Sequence, residues 1–230
     1  FLVSVMPCVA KKFEINRPEM QVDGIKDVDA VITTRDLATM IKQANIDFEK
    51  LEDSDFDNPM GEASGAGAIF GTTGGVMEAA LRTATDMVEG KDLPNFEYEA
   101  VRGEQGIKKA SVTICGKTIN VVVASGINNA KTIMEEIKNG NTDYHFVEVM
   151  TCPGGCIMGG GQPIPAPEIK EKVDVRKLRA DCLYSIDEKS ITRKAHESPT
   201  IKKVYKEFLE RPGSEIAHKY LHVNYLKNDK

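Results

Sequence analysis

Short apolar runs broken by turn residues organise the first two thirds of the chain. Phe1-Leu2-Val3-Ser4-Val5-Met6 reads as a buried strand ending at Pro7-Cys8, and Asp29-Ala30-Val31-Ile32-Thr33 as a second strand. Thr34 is the expected N-cap of a helix over residues 35–44. The acidic stretch 47–61, with its Asp and Asn turn formers, reads as a surface loop. A glycine-rich segment from Ser64 to Gly75 then opens a long helix over 76–89. The pattern next predicts a short strand over 96–102 and a hairpin over 110–115 and 117–124, turning at Gly116-Lys117. A helix over 128–138 follows, stopped by Asn139-Gly140, and then a buried strand over 145–150 that runs straight into Thr151-Cys152. Beyond Pro163 the pattern turns helical, over 167–188, 199–210 and 213–221, with Pro212-Gly213 separating the last two. These elements predict the α/β class. A lobe over residues 1–163, with a mostly parallel sheet flanked by helices, precedes a helical tail over 164–230.

Composition narrows the partners. The 230 residues suffice for one large or two small domains. A net charge of -5 leaves no polybasic footprint, and the sparse aromatics include no tryptophan for base stacking, so nucleic acid is not an expected partner. No apolar run approaches the ~20 residues of a membrane helix, so a membrane is not expected either. The opening run has no basic n-region and is too short for a signal peptide. A chain that opens inside an apolar strand is expected to be a fragment. Five cysteines, an odd number in a chain too large to need disulfide staples, point to a reducing, cytoplasmic compartment with thiols free or bound to metal.

Three of those cysteines share a setting. Cys8 and Cys152 each follow an apolar strand, and Cys156 lies four residues on, across Pro153-Gly154-Gly155. In a parallel sheet the strand ends meet at one edge, so the two cysteine turns are expected to converge there. The glycine pair allows a sharp turn that aims both thiolates at one object. Buried structural cysteines are the bland alternative, and that reading is kept for Cys115 and Cys182. Zinc is another alternative, but its sites pair ligands in two knuckles, and no second knuckle is present. An iron–sulfur cluster held by four thiolates fits better, with three of them visible. The segment 64–75 lacks the Gly-Lys-Ser/Thr ending of a nucleotide loop. Glu14 is expected to pair with a neighbouring lysine and Glu148 to anchor structure. The four histidines have no metal-like spacing at the cluster, and the i, i+4 pair His218 and His222 is read as chance.

Met6-Pro7-Cys8-Val9-Ala10-Lys11-Lys12-Phe13-Glu14 resembles the second signature of the iron-only (FeFe) hydrogenases. Phe146-Val147-Glu148-Val149-Met150-Thr151-Cys152-Pro153-Gly154-Gly155-Cys156-Ile157-Met158-Gly159-Gly160-Gly161-Gln162-Pro163 resembles the third. The stretch from Gly65 to Ala80 is similar to a further characteristic segment, and the tail around Ser198-Pro199 and His218 to Tyr225 resembles the small-subunit-like C-terminal belt. The resemblance implies a 4Fe–4S cubane joined to a two-iron subsite, together the H-cluster. It makes Cys8 and Cys152 terminal ligands and Cys156 the bridging ligand. It makes Lys11 the donor to a cyanide on the distal iron, with Met6 and Met150 packing on the two-iron unit and Phe70 and Gly71 lining the same cavity.

The implied reaction interconverts protons and electrons with dihydrogen. The implied partners are the N-terminal part of the catalytic domain and a ferredoxin-like electron donor or acceptor. The first family signature, a Thr-Ser-Cys-Cys-Pro type segment carrying one more ligand, is not in this sequence. The chain alone is therefore expected to hold no intact H-cluster and to be inactive. Two rival readings are a narfin-type iron–sulfur assembly or carrier protein and a sensory hydrogenase-like protein. The stretch from Gly65 to Ala80 and the context of Lys11 favour the hydrogenase, and the lack of a terminal tryptophan weighs against the narfin type.

Overall fold

In the computed structural model, which describes residues 1–55, 57, 63–92, 94, 97–103, 105–141 and 143–223, Val3–Met6 (β1) runs directly into Pro7-Cys8 and a one-turn helix, Lys11–Glu14 (α1). Gln21–Val22 (β2) and Ile25–Lys26 (β3) make a small antiparallel ribbon. Ala30–Thr33 (β4) then returns parallel to β1, with Met6 opposite Thr33. Helix Thr34–Gln43 (α2) is capped by Thr33, not by the expected Thr34. The Thr33 hydroxyl accepts from the Asp36 N–H at 3.1 Å, and the Asp36 carboxylate accepts from the Thr33 N–H at 2.8 Å. A cap needs extended backbone, which Thr33 inherits from β4 and Thr34 has already left.

Gly65–Ile69 (α3) and Gly75–Glu89 (α4) bracket a tight turn. The strand expected over 96–102 does not form. Its described part is a 3-10 turn, Glu99–Val101, and Phe96 lies outside the described residues. Val101 is buried against α4, and Arg102 is drawn to the Glu78 carboxylate at 2.7 Å, so this segment serves α4 and not a sheet. Ile107–Ile114 (β5) and Lys117–Ser125 (β6) form the hairpin, turning at Cys115 and Gly116, both at positive φ. Helix Ile127–Lys138 (α5) crosses over to Phe146–Met150 (β7), which pairs parallel to β6. Residues 121–124 of β6 are buried on both faces. Val121 and Val123 face Met77 and Leu81 of α4, while Val122 and Ala124 face Ile133 of α5. That explains an unbroken Val-Val-Val-Ala run in a central strand.

The α/β class stands, but one mostly parallel sheet does not. The strands divide into β1–β4, β2–β3 and β5–β6–β7. A two-residue turn forces β5 antiparallel to β6. The cysteine-bearing strands β1 and β7 each have a parallel neighbour, in separate sheets.

The tail begins with Pro167–Lys170 (α6) and Val175–Lys189 (α7), so the helix expected over 167–188 is broken in two. Asp174 restarts it, its carboxylate accepting from the Lys177 N–H at 3.0 Å. Pro199–Val204 (α8) continues into a π-helical turn, Tyr205–Leu209, and Glu215–Leu221 (α9) ends the described part. The tail is fastened to α3 and α4 by buried contacts. A side chain at Gly65 would come within 2.1 Å of Asp187 Oδ1, and Arg82 of α4 binds Asp187 of α7.

Candidate metal centre

Cys8 lies just past β1, Cys152 two residues past the last residue of β7, and Cys156 opens a 3-10 turn, Cys156–Met158. Gly154 and Gly155 between them hold φ of 89° and 94°, the left-handed region open to glycine, and make the sharp turn expected of Pro-Gly-Gly. The two cysteine loops touch backbone to backbone. The Gly161 N–H donates to the Pro7 carbonyl at 2.8 Å, and a Cβ at Gly159 would fall 2.2 Å from that same oxygen. Arg35 fastens the contact from the β4 side, its guanidinium donating to the Gly160 carbonyl at 2.6 Å.

Electrostatics place the sulfurs at one locus. Burial pushes the Cys156 thiol up, the charges of Cys8 and Cys152 push it further, and Lys11 opposes them. Three thiols and an ammonium therefore share one site although their strands lie in different sheets. The three sulfurs do not all come within 4.8 Å of one another. That spread suits an object larger than a single ion, and it disfavours zinc.

The other expected residues occupy varied settings. Met6 and Met150, the last residues of β1 and β7, are both half-buried. Lys11 pairs with Glu14 at 2.5 Å, as expected for Glu14. Phe70 is 48% exposed. Gly71 offers its carbonyl to the Ile157 N–H at 3.0 Å, and its N–H is directed at the Ala68 carbonyl at 3.5 Å. A side chain at Gly71 would meet Leu183 of α7. Glu148 is buried and structural, as expected. Its two oxygens accept from the Gly74 and Met77 N–H groups, each at 2.7 Å.

Cys115 and Cys182 stand apart from the centre but are exposed, not buried. Cys115 occupies a hairpin turn, where a side chain has little to pack on, and Cys182 lies on an outer side of α7. His218 and His222 bring Nδ1 atoms to 2.6 Å on the exposed α9. Among the described residues, one group, Asp86, His196 and Glu197, gathers potential ligand atoms within 4.8 Å. The Lys194 ammonium already lies on Asp86 at 2.5 Å.

Residues the sequence did not single out hold the centre in place. Lys108 is buried, and its ammonium donates to the Thr73 carbonyl at 3.1 Å and the Gly103 carbonyl at 2.8 Å. Burial pushes this lysine down to about 8, with Glu148 opposing the shift. The Ser125 hydroxyl joins Thr73 Oγ1 at 3.1 Å to the Gly154 N–H at 3.0 Å. Arg179 of α7 donates to the Ile157 and Pro163 carbonyls, each at 2.8 Å.

Residues 1–160 match the family described as iron only hydrogenase large subunit, C-terminal domain, and residues 173–228 match the iron hydrogenase small subunit. The chain belongs to the iron-only hydrogenase family. The chain is 53% identical over 227 residues to Iron hydrogenase 1 of Clostridium pasteurianum, covering 99% of this chain and 40% of that protein. Protein NAR1 of Arabidopsis thaliana is more distant, at 30% identity over 97% of this chain and 49% of that protein. An apo variant of the FeFe hydrogenase HydA1 from Chlamydomonas reinhardtii superposes with a TM-score of 0.77 at 38% identity, covering 97% of this chain and 62% of that one. The chain thus spans about two fifths of the length of Iron hydrogenase 1 and less than two thirds of each of the others.

Proposed function

We propose that the chain is the part of an iron-only hydrogenase that supplies three thiolates to the H-cluster, in an enzyme that reversibly interconverts protons and electrons with dihydrogen. The observation that carries this reading is the backbone contact of the two cysteine loops, Gly161 N–H on the Pro7 carbonyl, with Cys8, Cys152 and Lys11 near enough to act on the Cys156 thiol. The backbone fits the group: the glycines at 159 and 161 let the two cysteine loops meet without side chains between them. When bound, the cofactor supplies heterolytic hydrogen chemistry at the two-iron subsite and electron transfer through the 4Fe–4S cubane.

The chain's residues bind, orient and shield. Cys8 and Cys152 are terminal thiolate ligands and Cys156 the bridging one. Lys11, freed from Glu14, donates a charge-assisted hydrogen bond to an anionic ligand of the distal iron. Met6 and Met150 pack adaptable thioethers against the cofactor and, with Phe70 and Gly71, keep water from it. Residues 1–163 form the cluster-bearing lobe and 164–230 a small-subunit-like tail. The N-terminal part of the catalytic domain completes the ligand set, and a ferredoxin-like protein exchanges electrons with it. Five free cysteines support a reducing, cytoplasmic setting. No helix among the described residues is long and apolar enough to cross a membrane.

Two measurements test this. In a hydrogenase that carries these residues with the rest of its catalytic domain, Cys156→Ser should abolish hydrogen turnover while Cys182→Ser leaves it intact; equal activity in both variants would sink the assignment. The 230-residue chain alone, reconstituted anaerobically with iron and sulfide, should carry less than a stoichiometric cubane and evolve no hydrogen. Stoichiometric iron with turnover would show the ligand set to be wrong.

A further inference from the structure

We infer that Glu148, backed by Lys108, is a positioning residue that sets the Cys152–Cys156 thiolate pair by fixing the turn between α3 and α4. The inference rests on the assignment of those two cysteines as cluster ligands. It begins with a helix that cannot cap itself. Helix α4 has Gly74 at its N-cap, with φ of 90° and no side chain. A Cβ there would fall 1.9 Å from the Val101 carbonyl oxygen, so no Ser, Thr, Asp or Asn can take the position. The cap comes instead from another element. Glu148, in the middle of β7, places one oxygen on the Gly74 N–H and the other on the Met77 N–H. A carboxylate is the group that a helix N-terminus favours, because it meets both the free donors and the positive end of the dipole.

The other face of the same turn is the bed of the cysteine loop. The Gly71 carbonyl accepts from the Ile157 N–H at 3.0 Å, and the Thr73 N–H donates to the Gly154 carbonyl at 3.3 Å. A Cβ on Gly155 would lie 2.6 Å from the Gly71 oxygen and 2.8 Å from the Thr73 nitrogen. The Ser125 hydroxyl closes the contact between Thr73 and Gly154. Lys108 holds the turn from behind, through the Thr73 carbonyl.

A closed circuit results. The strand that carries Glu148 ends at Met150 and leads into Cys152, while the turn that Glu148 grips seats Gly154, Gly155 and Ile157 on either side of Cys156. The separation and aim of the two thiolates are therefore referred back to one buried carboxylate on the strand that delivers the first of them. Both Glu148 oxygens are engaged by backbone N–H groups of the turn and helix start, so it acts through the turn.

The test separates positioning from mere stability. Glu148→Gln keeps the shape but puts an amide N–H group against a backbone donor. Ile133→Ala removes packing in the separate core under α5 and serves as a control matched in melting temperature. Both are made in a hydrogenase that carries the whole catalytic domain and are loaded with cubane iron and sulfide only. The expected result for Glu148→Gln is a loss of about ten-fold or more in cubane affinity, in the range of outer-shell effects, with an altered EPR spectrum of the reduced cluster. The control should keep the wild-type affinity and spectrum. If Glu148→Gln matches the control in both readouts, the positioning role is overturned. If wild type takes up no cubane, it is the ligand assignment that falls. Should Glu148→Gln not fold, Ser125→Ala, which removes only the hydroxyl between Thr73 and Gly154, is judged by the same two readouts.

Discussion

Arg82 and Asp187 meet inside the protein through two parallel hydrogen bonds of 2.8 Å each, Nη1 to Oδ1 and Nη2 to Oδ2, with both side chains fully buried. Burial alone would push the Asp187 carboxyl up, but the donors of Arg82 and Arg193 outweigh it and hold the carboxyl below its usual range. This pair joins α4 to α7, and with it the α/β part of the chain to the helical tail. Asp187→Ala should cost about 3–5 kcal/mol, because it strips the buried guanidinium of a bidentate partner. Arg82→Met with Asp187→Leu should recover only part of that loss, since the pair leaves no charge of its own behind but Glu78 and Arg193 each lose a partner. Urea unfolding of the three proteins checks it, and a cost near zero for Asp187→Ala would show that water or a rearranged Glu78 replaces the lost carboxylate.

Lys108 makes stability depend on alkaline pH. Its folded value is about 8 and its ordinary value 10.5, so between the two the unfolded chain binds more protons. Stability from this group therefore rises as pH goes from about 8 to 10.5 and is flat below about 8, where both states are protonated. The unfolding free energy of the native chain should gain on that of Lys108→Met between about pH 7 and about pH 10. A constant or shrinking difference would mean that Lys108 keeps an ordinary value in the fold.

Lys11 is held by Glu14 in this structure and is partly open to solvent. In a hydrogenase with the full catalytic domain, Lys11→Asn should weaken retention of the two-iron unit, since losing a hydrogen bond to a charged group costs roughly 1.5–3 kcal/mol. Infrared bands of the iron-bound diatomic ligands, measured against protein concentration, report occupancy. Wild-type occupancy in the variant would remove Lys11 from the site.

The parts of this molecule that were legible in its sequence are those set by local chemistry. The Pro-Gly-Gly spacing before Cys156 announced a sharp turn, and the turn is there at Gly154 and Gly155. Apolar runs gave β1, β4 and β7, and Asn139-Gly140 marked the end of α5. What stayed hidden depends on partners remote in the chain. The division into three sheets is decided by which backbones meet, and no strand carries that in its own pattern. Lys108 sits in a hairpin beside Lys109, where a lysine defaults to solvent, and only the fold reveals that it points inward while Lys109 reaches Glu136. Residues 96–102 had the composition of a strand, but among the described ones Tyr98, Val101 and Arg102 find partners in α4.

The junction at Gly159 and Gly161 governs what can be altered in this centre. Pro7 meets that loop through main-chain atoms, so no rotamer on either side can lengthen or shorten the span between the loops that carry Cys8 and Cys156. Such a span behaves as a fixed gauge, changeable only by sliding one sheet bodily against another, which a close-packed interior resists. Engineering aimed at the proposed centre has its freedom in side chains such as Phe70 and Met150, which are proposed to line it, and almost none in the frame.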